Sequence, residues 1–158
     1  MADARIYADL KADHDRHRDL LQRIDAASGD ERAALFEEFR VEVSAHAAAE
    51  EEALYATMLA NPDLRDEARH SVSEHKEIDD YLGEISKLDP AGNEWNQRFA
   101  EMRHRYEHHI DEEEEEMFPA AAKELSDDEE ARIATVFEER KPRELEIAES
   151  SEAGDDRD

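Results

Sequence analysis

Two short stretches, HAAAE at 46–50 and HIDEE at 109–113, each set a histidine and a glutamate four residues apart. On an α-helix that spacing stacks the two side chains one turn apart on a single face. An imidazole above a carboxylate is a ready pair of donors for a divalent cation, and iron or manganese accepts both donor types. The chain contains no cysteine, so thiolate ligands, disulfides and iron–sulfur clusters are excluded. Any metal must be held by histidine and carboxylate.

Helical geometry separates these residues from their lookalikes. In the stretch HHIDEEEEEMFP, an apolar stripe through Trp95, Phe99, Met102 and Tyr106 continues onto His109, Glu113 and Met117. At about 100° per residue, Glu113 lies within roughly 10° of the stripe and His109 within roughly 45°. His104 and His108 point away, Glu112 and Glu114 face outward, and Glu116 is borderline. The second helix repeats the pattern, with Phe36, Phe39 and Val43 leading to His46, Glu50 and Leu54. In the third, His75 shares a face with Val72, Ile78, Leu82 and Ile85; in the first, His14 and His17 share one with Leu10, Leu21 and Ile24. A buried carboxylate without a partner is costly. Four histidines and two glutamates aimed into one core are therefore best explained by two divalent cations between them, rather than by a metal-free polar network.

The elements that position these residues can be read from punctuation and period. Helices are expected at about 6–27, 31–59, 64–88 and 94–117, the last ending near Pro119. Ser28 with Asp30 and Glu31 offers caps for the second helix, Asn61-Pro62-Asp63 separates the second from the third, and Asp89-Pro90-Ala91-Gly92-Asn93 is a turn. Ser126-Asp127-Asp128-Glu129 is a capping box that starts a shorter helix through Val136 and Phe137. With only 4 Gly and 4 Pro, and Ala, Glu, Leu and Arg dominating, the composition is all-α. Four long helices on short loops predict an up-down-up-down antiparallel four-helix bundle with a short extra C-terminal helix. We expect one domain over 1–140 and an acidic, flexible tail over 141–158.

The formal net charge of −26 argues against nucleic acid and anionic membrane surfaces as partners and favours cations. No apolar signal core opens the chain and no 18-residue apolar run occurs, so a cytoplasmic protein is expected, as a monomer or weak homo-oligomer.

Taken together, DHDRHRDLL, HAAAEEEALYA, SEHKEIDDYL and HIDEEEEEMFP resemble the motifs of the hemerythrin-like, HHE cation-binding family of di-iron four-helix proteins, over roughly residues 5–120. The resemblance implies a metal set of His14, His46, Glu50, His75, His109 and Glu113. It implies two non-haem iron ions (iron preferred to manganese), bridged by the glutamates and an oxo or hydroxo group. It also implies a small diatomic or peroxide ligand. The oxygen-carrying members use five histidines, with an HxxxH pair on the third helix; here Ser71 stands four residues before His75. His17 is either a fifth ligand or an extra core imidazole. Tyr106, one turn before His109, is either a packed aromatic or a hydrogen-bond donor, ligand or redox-active phenol near the metals, while Tyr55 is expected to be structural. The expected activity is reaction with peroxide, O₂ or NO, with catalase-like peroxide removal preferred. The alternative is non-enzymatic O₂ binding or iron or oxygen sensing.

Overall fold

The computed structural model describes residues 3–151, and among these it contains helices and turns but no strand. Helix α1 is Arg5–Ala26. Helix α2 spans 29–59: Gly29–Glu50, a π turn at Glu51–Tyr55, and Ala56–Leu59. Helix α3 is Arg65–Ser86. Helix α4 spans 93–124: Asn93–Glu112, a second π turn at Glu113–Met117, and Phe118–Glu124. Helix α5 is Asp127–Ser150. The first four form the expected antiparallel bundle, and α5 lies along α2 and against α1. None of the described helices is long and apolar enough to cross a membrane.

The core has two apolar halves. One gathers Ile6, Tyr7, Leu10, Leu54, Met58 and Phe118; the other gathers Leu21, Ile24, Phe36, Phe39, Trp95 and Phe99. Along α1, α2 and α3 the buried histidines fall between the residues of these two halves, and on α4 His109 sits beside the last residue of one half, Ile110. The apolar ends thus hold a polar layer at mid-height, where no helix end is available to relax it.

Three local expectations need correcting. Ser28 occupies the N-cap of α2, but its side chain makes no capping hydrogen bond; the turn is made instead by Gly29 at φ +59°. That left-handed conformation favours glycine, which has no Cβ to clash there.

Helix α4 does not end near Pro119. In its π turn the Phe118 N–H bonds the carbonyl of Glu113, five residues back. The wide turn relieves the clash that a proline ring makes with a regular α-helical turn, and Pro119 has no N–H left to satisfy. The helix therefore continues to Glu124.

The largest correction concerns the C-terminus. The capping box is present, with the Ser126 hydroxyl accepting from the Glu129 N–H at 3.1 Å and the Glu129 carboxylate accepting from the Ser126 N–H at 3.0 Å. The helix it starts is not short, however, and residues 141–150 are not a loose tail, because α5 runs unbroken to Ser150 through Pro142. Its inward positions after Phe137 are Lys141, Glu144 and Ala148, and the Arg40 guanidinium donates to the Ala148 carbonyl at 3.1 Å. A face built of lysine and glutamate has no hydrophobic period to read. Residues 152–158 of the expected tail lie outside the described residues.

Candidate metal centre

The polar layer brings together all six residues of the expected ligand set. His14, His46, Glu50 and Glu113 present ligand atoms within 4.8 Å of one another, and so do His75, His109 and Glu113. Glu113 thus belongs to both groups, with Oε1 3.1 Å from His14 Nε2 and Oε2 4.0 Å from His109 Nε2. Glu50 Oε1 stands 3.6 Å from His46 Nε2 and 3.3 Å from His75 Nε2. The two carboxylates therefore sit between one imidazole pair, His14 and His46, and the other, His75 and His109. All six residues are buried; His75, at 9 %, is the least so.

Each of these imidazoles is held from behind through Nδ1. His46 is bonded to Asp13 at 2.8 Å, His75 to Glu51 at 2.8 Å, His109 to Glu74 at 2.8 Å and His14 to Glu114 at 2.7 Å. In every case the acid comes from the preceding helix of the bundle, α4 serving α1, so the four bonds close a ring around it. An ionised carboxylate only accepts, so each Nδ1 carries the hydrogen and Nε2 faces the centre. Such acids orient a metal-binding imidazole and raise its basicity. These four acids escaped the sequence reading, which sent Glu114 outward. The available signal was adjacency: Asp13, Glu51, Glu74 and Glu114 each neighbour a ligand position but serve another helix.

Whether a cation fits can be judged from the atoms left over. Among the described residues, His14 Nε2, His46 Nε2, both oxygens of Glu50 and Glu113 Oε1 are buried with no hydrogen-bond partner. The close His14–Glu113 approach lacks hydrogen-bond geometry. Orphaned buried polar atoms cost about 1–3 kcal/mol each, and here they converge on one space. Imidazole nitrogen with carboxylate oxygen is a donor set suited to iron or manganese. The residues fit.

Electrostatics describe the same strain without metal. Burial and the facing charge of Glu113 push the Glu50 carboxyl well above the usual carboxylate range. Burial also pushes Glu113 up, but the close approach of His14 and the charge of His109 overcome it and hold Glu113 low. For His14, burial lowers the pKa, yet Glu113, Glu114 and Glu50 lift it to about 9. Burial drives His46 down to about 3 despite its bond to Asp13. The metal-free layer is thus a neutral Glu50 beside a His14–Glu113 ion pair.

His17 does not join either group. Its Nδ1 lies 2.7 Å from the Tyr106 hydroxyl and its Nε2 turns toward Glu42, 3.9 Å away. Tyr106 therefore hydrogen-bonds His17 and not the carboxylates, and its ring lies 6.2 Å from that of His109. Tyr55 takes the position expected of Tyr106: its hydroxyl donates to Glu113 Oε2, and its ring stacks on His75 with centroids 5.3 Å apart. In a regular α-helix Tyr55 would stand roughly 140° around from Glu50. The π turn at 51–55 rotates less per residue and brings it back to the core.

Helix α5 also reaches the layer. Lys141 Nζ lies 2.8 Å from Asp13 Oδ2 and 3.6 Å from Glu42 Oε2. Burial raises the Asp13 pKa, but His46 and Lys141 outweigh it and hold the carboxylate far below its usual range. Replacing Asp13 with alanine frees the His46 ring and leaves Lys141 with Glu42 as its nearest carboxylate. We expect metal affinity to fall about 10–100-fold, measured by competition with a chelator, with the helical content unchanged.

A chain of similar structure is a crystallised hemerythrin HHE cation-binding domain-containing protein from Mycobacterium kansasii. It superposes with a TM-score of 0.78 at 24 % identity, covering 89 % of this chain and 87 % of that one. Among curated protein sequences, none matches significantly. The family model described as the hemerythrin HHE cation-binding domain matches residues 5–121, which spans α1 to α4 and every residue of the polar layer. The chain therefore belongs to the hemerythrin HHE cation-binding domain family.

Proposed function

We propose that this protein holds two iron ions in the polar layer and removes small oxidants, hydrogen peroxide first among them. One observation carries the reading: four imidazoles, each tied through Nδ1 to an acid, converge in a buried layer with Glu50, neither oxygen of which has a partner, and Glu113, whose Oε1 has none. His14 and His46 would hold one ion, His75 and His109 the other, with Glu50 and Glu113 shared. Bound there, a pair of irons supplies two one-electron redox changes and Lewis-acid polarisation of an O–O bond.

The chain provides the access and the dry surroundings. A groove of about 730 Å³ between α2, α3 and α5 reaches His46, His75 and Tyr106 at its floor. Its walls include Val43, Val72, Ile78 and Leu82. Small neutral molecules such as peroxide or O₂ cross such a surface without losing a charge shell. The groove meets the layer at His75, the least buried of the six residues. Elsewhere the layer is sealed by Phe118, which stacks on His14 at 6.2 Å, and by Phe39 and Phe137, which lie edge-on to His17 and His46. Within the layer, the Tyr55 hydroxyl holds a proton on Glu113.

The test is metal analysis of protein loaded anaerobically with Fe²⁺, followed by peroxide addition with an oxygen electrode. We expect two irons per chain and sustained release of one O₂ for every two H₂O₂ consumed. A stable, reversible oxygenated spectrum without O₂ release from peroxide would instead support the non-enzymatic O₂-binding reading. Failure to retain iron would overturn both.

A further inference from the structure

A second cluster of donors lies outside the layer, between α3 and α4. His70 Nε2 stands 3.5 Å from Glu74 Oε1 and 3.6 Å from Glu112 Oε1, and the three residues offer ligand atoms within 4.8 Å of one another. Those separations are long for hydrogen bonds. They are close to the roughly 3–3.4 Å between donors that each sit about 2.0–2.2 Å from one shared cation. His108 adds a nitrogen 3.2 Å from Glu112 Oε2.

This cluster opens on a cavity of about 250 Å³ that runs inward to the polar layer. Its outer wall carries Asp66, Glu67 and Glu116; its inner end is formed by His109 and Glu113. Glu113 is 1 % exposed, and its Oε1 has no hydrogen-bond partner among the described residues. The cavity therefore starts at a histidine–carboxylate cluster on the surface and ends at a buried carboxylate with one oxygen, Oε1, left without a partner. Crowding of acids at the mouth is already felt by Glu67, whose pKa burial and the charge of Glu116 both raise. Glu74 links the two ends directly, because the Oε1 that faces His70 also bonds His109 Nδ1 at 2.8 Å.

We propose that His70, Glu74 and Glu112 form a surface site for a divalent cation, from which the ion passes along this cavity to the His75–His109–Glu113 side of the buried centre. The passage rests on the reading that the buried layer holds metal; the surface site does not. Carboxylates recur along the cavity, from Asp66, Glu67 and Glu116 through Glu74 and Glu112 to Glu113, beside Ser71 and Met117, and can replace water oxygens on a cation step by step. The groove on the other side of α3 reaches the layer at His46 and His75 instead. Cation and oxidant thus approach the layer by separate routes.

The surface site is tested first, on protein whose buried centre has been filled. Mn²⁺ added at low stoichiometry is expected to broaden the His70 and His108 ring signals in the NMR spectrum, and His70→Ala/Glu112→Gln to abolish the broadening elsewhere in the cluster. Absence of selective broadening overturns the site. Passage is tested by stopped-flow uptake of Co²⁺ into metal-free protein, followed by visible absorbance. We expect His70→Ala/Glu112→Gln to slow loading at least about tenfold, the scale of electrostatic capture, with the final metal content of the buried centre unchanged. Asp80→Asn, which removes the same charge outside the cavity, should load at the wild-type rate. Equal rates in all three proteins overturn passage, and so does an equal slowing by Asp80→Asn or a loss of metal from the buried centre in the double variant. Wild-type protein that takes up no Co²⁺ at all identifies the failure as that of the buried centre.

Discussion

We expect Glu50→Met and Glu113→Met each to abolish binding of both metal ions, and His14→Ala to weaken chiefly one. The asymmetry follows from placement. Each carboxylate stands between the two imidazole pairs, Glu113 through its two oxygens and Glu50 through Oε1. Removing either leaves neither half with an intact donor set. The same substitution has the opposite effect on the metal-free fold. Glu50 is 0 % exposed with both oxygens partnerless, and methionine fills its place with an unbranched apolar chain. Removing such a group stabilises the metal-free protein by about 1–3 kcal/mol. Wild type gains more once loaded: at a hundredfold excess of free ion over Kd, two sites contribute about 5 kcal/mol. For a domain of this size that raises Tm by roughly 10–20 °C. Thermal unfolding with and without metal, beside metal analysis, checks both signs. A Glu50→Met protein that is destabilised without metal, or that keeps two ions, contradicts the assignment.

The second large effect is of pH on loading. Without metal, His14 is lifted to about 9 by Glu113 and Glu114 against its burial, and burial with the charge of Glu113 keeps the Glu50 proton on well above the usual carboxylate range. Both atoms must give up their protons to bind a cation. His46, lowered to about 3 by burial, and Glu113, held low, have none to give. Loading therefore releases two protons while both groups hold them, and affinity rises about a hundredfold per pH unit over that range. The sign is unambiguous: acid favours the metal-free protein. Above pH 9, where His14 has lost its proton, the dependence flattens. Calorimetric titration in buffers of different ionisation enthalpy counts the protons directly. Glu50→Met, which binds no metal, cannot report this, so His14→Ala is the informative comparison, with one proton fewer released.

The convergence of the six candidate ligands was legible in the sequence because it obeys a period. His46, Glu50, His109 and Glu113 lie on apolar stripes, and direction alone separates them from His104, His108 and Glu115. What surrounds them was less legible, for two physical reasons. The acids behind the imidazoles lie beside the stripes and find their partners on other helices, so no single helix predicts them. The π turns at 51–55 and 113–117 change the rotation per residue just past the glutamates. That moved Tyr55 inward and carried α4 beyond Pro119. Helix α5 was shortened in the reading because its inward face is polar, and Lys141 was missed because its partner, Asp13, lies 128 residues earlier.

The closed ring of acids and imidazoles has a dynamic consequence. Opening any one of α1 to α4 breaks two of its bonds, one given and one received, and so loosens both neighbours. The middle of the bundle then has no low-cost partial opening. Amides at that height on all four helices should exchange with solvent as one cooperative unit, at nearly the free energy of global unfolding, while the ends of the same helices fray independently.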